Sequence, residues 1–218
     1  LIRTLQEARI CKYNLGGGLP DLPEGHRILV PGQVGDDASI TTGTDQVCTN
    51  LDLLRTVRAA RPDAVIIYKP HPDVEAGLRD GAVDASDFAD VVTLDADPMA
   101  LLEQVGEVWT MTSLLGFEAL LRDVPVVTLG APFYAGWGLT TDLGPVPARR
   151  STKVSLEGLV HAALIDYPRY FDPITDSACP VEVIVDRLAT GKVPHPGRAN
   201  RLLAKLQGIF ASYAGFWR

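Results

Sequence analysis

Cysteine is scarce in this chain: three occur in 218 residues, at 11, 48 and 179, with no Cys-x-x-Cys pair. That spacing fits neither a disulfide framework nor a paired-thiolate zinc site, and a reducing, cytoplasmic setting is the simpler expectation. Positive charge is also in short supply. Lys and Arg number 20 against 27 Asp and Glu, a net charge of -7, whereas binding a nucleic-acid backbone calls for a basic face, so nucleic acid is set aside as a partner. No apolar run approaches the roughly 18 to 20 residues of a membrane span, and the start shows no basic segment followed by an apolar one. The H-E-x-x-H zinc helix, the G-x-S-x-G elbow and the G-x-G-x-x-G fingerprint are all missing. No metal site and no serine-hydrolase chemistry are therefore expected.

What is present is a succession of short, β-branched apolar runs: Arg27–Val30, Ala64–Tyr68, Asp90–Leu94, Glu107–Met111 and Val124–Thr128. Continuous apolar runs of this length read as strands buried on both faces. Between them apolar residues recur at helical spacing, as Leu51, Leu54 and Val57, then Met99, Leu102 and Val105, then Leu114, Phe117 and Leu121. Helix starts are expected at Asn50, at Asp97 before Pro98, and at Thr112 or Ser113. Alternating strand and helix predicts an α/β, doubly wound, mainly parallel sheet. Residues 13–25, rich in Gly and Pro, read as a connector. Past Gly130 the pattern gives way to a loop, a helix from Ser155 to about Ile165, another from Val181 to Leu188, and a last one from about Asn200.

In such sheets ligands bind beyond the carboxyl ends of the strands. Four segments that follow strands carry unusual residues: Pro31-Gly-Gln-Val-Gly-Asp-Asp-Ala-Ser39, Lys69-Pro-His-Pro72, Thr112-Ser-Leu-Leu-Gly-Phe-Glu118 and Gly130-Ala-Pro-Phe-Tyr-Ala-Gly-Trp-Gly138. Asp36 and Asp37 suit a base or a nucleophile toward an anomeric carbon, or else a turn or helix cap. His71, held between two prolines with Lys69 nearby, suits an anionic ligand, or else packs at a strand end. Thr112 and Ser113 open a helix where a phosphate would be at home, although capping needs only one of them. Glu118 lies about one and a half turns on, within reach of ribose hydroxyls or facing solvent. The loop bearing Tyr134 and Trp137 has the aromatics and glycines to stack against a sugar or base. His195-Pro196 repeats the dipeptide without a preceding strand and reads as loop.

These segments, taken in order, resemble the KpsC-type capsular polysaccharide biosynthesis proteins. The resemblance is carried by Val30-Pro-Gly-Gln-Val-Gly-Asp-Asp-Ala-Ser-Ile40, Tyr68-Lys-Pro-His-Pro-Asp73, Gly116-Phe-Glu-Ala-Leu-Leu121 and Gly130–Leu139, and spans about Lys12 to Leu188. It implies a GT-B-like fold and retaining transfer of the sugar acid Kdo from CMP-Kdo to a lipid-linked saccharide at the inner membrane, with no cofactor. It also implies Asp37 as nucleophile with Asp36 its rival, and His71 with Thr112 and Ser113 on the CMP phosphate. The nucleotide-sugar set is then Gln33, Lys69, His71, Pro72, Thr112, Ser113, Glu118, Tyr134 and Trp137.

A GT-B enzyme has two lobes and on the order of 300 residues or more. The expectation is therefore one nucleotide-sugar-binding lobe over 26–150, a helical extension over 151–218, and 1–25 as helix and connector from a lobe that is missing, reduced or supplied by a partner module. Two other readings remain open: a sugar-nucleotide epimerase, and a truncated nucleotide-binding module of capsule assembly. After Asp186 the chain has no acidic residue but six basic ones, with Phe210, Tyr213, Phe216 and Trp217 late among them. That composition suits either a tail on the membrane surface or a helix packing its aromatics on the domain.

Overall fold

The structure, a computed structural model, describes residues 1–12, 18 and 20–193. It divides into two compact units, Leu1–Tyr167 and Pro168–Arg218. In the first, the elements follow as α1 (Ile2–Glu7), β1 (Arg27–Pro31), α2 (Ala38–Gly43), α3 (Asn50–Ala60), β2 (Val65–Lys69), α4 (Pro72–Glu75) and β3 (Val91–Val92). Then come α5 (Pro98–Leu102), β4 (Glu107–Thr110), α6 (Leu114–Leu120), β5 (Val126–Thr128), β6 (Thr141–Asp142) and α7 (Leu156–His161), which runs into a π-helical turn over Ala162–Asp166.

The six strands form one sheet in the order β3-β2-β1-β4-β5-β6, and every pairing is parallel. A parallel sheet needs cover on both faces, and the strands show it. Ile28, Val30, Ile66 and Tyr68 join Leu53, Leu54 and Val57 of α3 in one core with Trp109 and Met111. Leu29 and Ile67, alternate along the same strands, are equally buried, because successive side chains point to opposite faces. Helix α6 packs on β4 and β5. Each fully buried Leu or Ile contributes about 1.5–3 kcal/mol.

The expected strands and main helices are present, with differences of detail. Helix α3 is capped by Thr49, whose side chain accepts from the Asp52 N–H. Asn50, expected as the cap, lies inside the helix and is buried, because its amide is needed elsewhere: it accepts from Gln33 N at 2.9 Å and donates to Gln33 O and Gly81 O. The strand expected over Asp90–Leu94 pairs only at Val91 and Val92, since the Asp90 carboxylate turns to accept from Ile66 N and Arg58. Helices α2 and α4 and strand β6 were not anticipated. Asp97, Ser113 and Ser155 do cap α5, α6 and α7. Of the connector, residues 20–25 carry no helix or strand.

The second unit contains an unanticipated antiparallel pair, β7 (Tyr170–Asp172) and β8 (Ser177–Cys179), and the expected helix, α8 (Val181–Ala189). Asp172, 1% exposed, pins them together: it accepts from Ile174 N in the turn and from the Arg187 guanidinium of α8 at 2.9 Å. The expected helix from Asn200, the aromatic tail and His195-Pro196 lie outside the described residues. No helix among the described residues is long and apolar enough to cross a membrane.

Candidate active site

Strand order reverses between β1 and β4, and the chain leaves the two strands in opposite directions there, which opens a crevice at their carboxyl ends. A cavity of about 240 Å³ occupies that place. The loop after β1 supplies Gln33, Asp37 and Ser39, the end of β2 and the turn beyond it supply Lys69, His71 and Pro72, and the start of α6 supplies Thr112, Ser113 and Glu118. Lys12 completes the wall from the amino-terminal segment.

Gln33 is the hub. Its amide nitrogen donates to Thr112 Oγ1 at 2.7 Å, while its amide oxygen accepts from Thr112 N at 3.0 Å and from Thr110 Oγ1 at 3.1 Å. Ser39 extends the network, with its hydroxyl 2.9 Å from Thr112 Oγ1 and donating to Asp37 Oδ1 at 2.6 Å. Asp37 caps α2, its Oδ1 also accepting from Ser39 N at 2.8 Å. Two hydrogen bonds to the charged form hold the Asp37 carboxyl below its usual range, so it is ionised.

His71 caps the single turn of α4, and Pro72 occupies the first helical position. Its Nδ1 accepts from Asp73 N at 3.2 Å, which assigns the proton of the neutral ring to Nε2. Burial lowers the imidazole pKa, the Asp73 carboxylate partly opposing it. Lys69 is buried, and its ammonium donates to Leu94 O at 2.9 Å. Burial lowers its pKa too, against the pull of Glu75, Asp95 and Asp97. Glu118, 8% exposed, accepts from Lys12 N at 2.8 Å. Burial raises the Glu118 pKa, countered by that N–H and by the charges of Arg122 and Lys12.

Three expected residues stand apart from the cavity. Asp36 is exposed and engaged with the Arg79 guanidinium at 2.7 Å. Tyr134 is wholly buried, its hydroxyl donating to Ser113 O from behind α6. Trp137 donates through Nε1 to Phe133 O at 2.8 Å and lies 5.7 Å from the Arg150 guanidinium carbon. The aromatic loop here serves packing against α6, where Phe117, Phe133 and Tyr134 meet ring to ring. Conversely, sequence reasoning passed over Ser39 and Lys12. The spacing Asp37-x-Ser39 is a signal for the first, an aspartate two residues before a hydroxyl being a helix-start pattern; Lys12 sits in no motif. Among the described residues no group of three or more His, Cys, Asp or Glu is placed to hold a metal ion.

A six-stranded, doubly wound parallel sheet with a cavity at the reversal point is a Rossmann-like lobe of the kind found in GT-B-like glycosyltransferases. The chain belongs to the capsule polysaccharide biosynthesis protein family, whose model matches residues 23–170, and it is of the KpsC type. It is 45% identical over 225 residues to the capsule polysaccharide modification protein LipA of Neisseria meningitidis serogroup B, an alignment covering 98% of this chain and 32% of LipA. The KpsC β-Kdo 2,7 transferase of Thermosulfurimonas dismutans superposes with a TM-score of 0.74 at 38% identity, over 88% of this chain and 60% of that one. The β-Kdo 2,4 transferase of the same KpsC gives 0.76 at 30% identity, over 86% and 60%. The chain thus spans roughly a third of LipA and less than two thirds of either solved transferase.

Proposed function

We propose that this chain is the donor-binding lobe of a capsule glycosyltransferase that moves Kdo from CMP-Kdo, with retention of configuration, to a lipid-linked saccharide. The observation that carries the reading is a single cavity holding both an ionised, hydrogen-bond-fixed carboxylate, Asp37, and an imidazole whose proton is assigned to Nε2, His71. The KpsC neighbours, named for β-Kdo transfer, support the choice of sugar.

In this reading the donor phosphate is held by the His71 Nε2–H and by the hydroxyls of Thr112 and Ser113, with Lys69 adding positive potential from behind. Glu118, buried and carboxylate-bearing, accepts from ribose hydroxyls. Gln33 and Pro72 act through their neighbours, the first orienting Thr112 and the second fixing the backbone of His71. An Asp37 carboxylate oxygen bonds to the anomeric carbon as the bond from that carbon to the phosphate oxygen breaks, and its electron pair leaves with CMP. His71 steadies the charge that develops on the phosphate. An acceptor hydroxyl then attacks the same carbon and displaces Asp37, which leaves as the free carboxylate, while the hydroxyl proton passes to the departing phosphate. Two inversions give net retention. The lobe would work with a second glycosyltransferase module in the cytoplasm, on the inner-membrane face where a lipid-linked acceptor resides. Residues 198–218 offer the surface contact, to be checked by liposome flotation with and without them.

Calorimetric titration of CMP and CMP-Kdo against the chain and its His71→Ala and Ser113→Ala variants tests the site. We expect binding that weakens about tenfold or more in each variant, the loss of one charge-assisted hydrogen bond. No binding by the folded chain would refute the donor-site reading. Release of CMP that requires acceptor would separate transfer from epimerisation, and binding without any turnover would leave a non-catalytic module.

A further inference from the structure

Building on the donor-site reading, we infer that Lys12 recognises the carboxylate that Kdo carries on its anomeric carbon, and so selects a sugar acid over a neutral sugar. An acidic ketose is unlike most sugar donors in this respect. Its own carboxylate is one bond from the atom that Asp37 attacks, and reacting atoms must come within about 3–3.5 Å. Two carboxylates thus converge as the bond forms, and their repulsion in a partly desolvated cavity would oppose attack unless a cation lies between them.

Among the described residues, three cations stand near. Arg79 is already held by Asp36, with Nε at 3.2 Å and Nη2 at 2.7 Å from one carboxylate oxygen, and it forms no part of the cavity wall. Lys69 lines the cavity, its ammonium donating to Leu94 O at 2.9 Å, but the charges it meets are those of Glu75, Asp95 and Asp97, and it is not among the charges that act on Asp37 or His71. Lys12 lines the same wall as Asp37 and His71, and its backbone is fixed by the Glu118 carboxylate at 2.8 Å. Its charge is also felt at the reaction centre, since it lowers the pKa of both Asp37 and His71. Of the three, only Lys12 combines a place in the wall with a field acting on both reacting groups. The Glu118 contact gives it a second significance: a nucleotide seated against Glu118 would be registered directly on the segment that carries the lysine.

The test is a thermodynamic cycle. CMP-Kdo and its methyl ester, in which the sugar carboxylate alone is neutralised, are titrated against the wild-type chain, Lys12→Met and Lys12→Arg, with CMP as the measure of the donor site itself. We expect the acid to bind wild type about tenfold tighter than the ester, the worth of one charge-assisted contact. In Lys12→Met the two ligands should bind alike, and in Lys12→Arg the preference should return. Removing the charge from the ligand and from residue 12 would then cost the same and not add. A preference for the acid that survives in Lys12→Met overturns the assignment. So does equal weakening of acid and ester, which would place Lys12 on the phosphate, and so does a wild type blind to the ester. If wild type binds CMP while any of these holds, the donor site stands and the role of Lys12 falls; if it does not bind CMP, both fall together.

Discussion

Gln33 and Thr112 grip each other twice across the point where the sheet reverses: the Gln33 amide donates to the Thr112 hydroxyl at 2.7 Å, and the Thr112 backbone N–H donates back to the Gln33 amide oxygen at 3.0 Å. One side chain thereby joins the end of β1 to the start of α6, and with Asn50 on its own backbone it ties in α3 as well. Gln33→Leu keeps the size but leaves Thr112 N and the Thr110 hydroxyl without their acceptor in a buried setting. Such orphaned groups cost about 1–3 kcal/mol each. We expect a loss of about 2–4 kcal/mol in urea unfolding, with an unchanged m-value. Weaker CMP binding should accompany it, because Thr112 and Ser113 lose their brace.

The two neighbouring aspartates should separate cleanly. Asp37 caps α2 with two hydrogen bonds from Ser39, whereas Asp36 meets an exposed arginine. Asp37→Ser retains a good cap, so its stability should stay within about 0.5 kcal/mol of wild type, while Asp37→Ala should cost about 1 kcal/mol. Under the proposed mechanism, in which Asp37 is the nucleophile, both should lower Kdo transfer by about a thousandfold or more. Asp36→Ala gives up an exposed ion pair and should change stability by less than about 0.5 kcal/mol and leave transfer nearly intact. Transfer that survives in Asp37→Ser and vanishes in Asp36→Ala would exchange the roles.

The sheet was legible because a strand buried on both faces must be apolar at every position: Ile28, Leu29 and Val30 announce themselves, as do Val65, Ile66 and Ile67. Strand β6 has no such run. Its Thr141 and Asp142 are recruited by tertiary hydrogen bonds, the Asp142 carboxylate accepting from Thr128 Oγ1 at 2.9 Å, and no local pattern marks them. Helix α2 was hidden because it is short and buries only Ile40. At the site, strand-end position was enough to bring Asp37, His71, Thr112, Ser113 and Glu118 to one cavity. It failed for Tyr134, because a loop aromatic reads alike whether it faces a ligand or fills the space beside a helix. What decides between them is Gly116, eighteen residues away. Lys12 was invisible for a related reason, since its place in the wall comes from a contact with Glu118 that lies 106 residues along the chain.

Acid should loosen the second unit in a defined window. Asp172 is buried, and the Arg187 guanidinium together with the Ile174 N–H holds its pKa down to about 2. An aspartate in the unfolded chain titrates near about 3.9. A depressed pKa contributes stability that is complete above the unfolded value and is lost as pH falls through the folded one. The amide signals of β7, β8 and α8 should therefore report weakening between about pH 4 and pH 2. In Asp172→Asn that contribution is absent at every pH, so the variant should be less stable at neutrality and its acid dependence in this window flatter. Parallel acid curves for the two proteins would show that the ion pair is not what holds the unit together.

Gly116 and Tyr134 provide a test in which two rules disagree on sign. Alanine is the better helix former by about 1 kcal/mol, so propensity alone predicts that Gly116→Ala stabilises α6. A Cβ at that position, however, would stand 2.8 Å from Tyr134 Cζ and closer still to its hydroxyl oxygen. Tyr134 cannot withdraw, being wholly buried with its hydroxyl donating to Ser113 O. Overpacking of this kind costs about 1–3 kcal/mol, and we expect it to outweigh the propensity, lowering Tm. Tyr134→Phe alone should cost about 1 kcal/mol, the worth of the lost hydrogen bond. In the double variant the hydroxyl oxygen, the nearest of the clashing atoms, is gone while the ring carbon Cζ remains close, so the two losses should sum to less than their separate values. Full additivity would mean that α6 shifts to admit the methyl group. The brace on Ser113 would then be looser than the geometry implies, and CMP binding in Gly116→Ala should weaken accordingly.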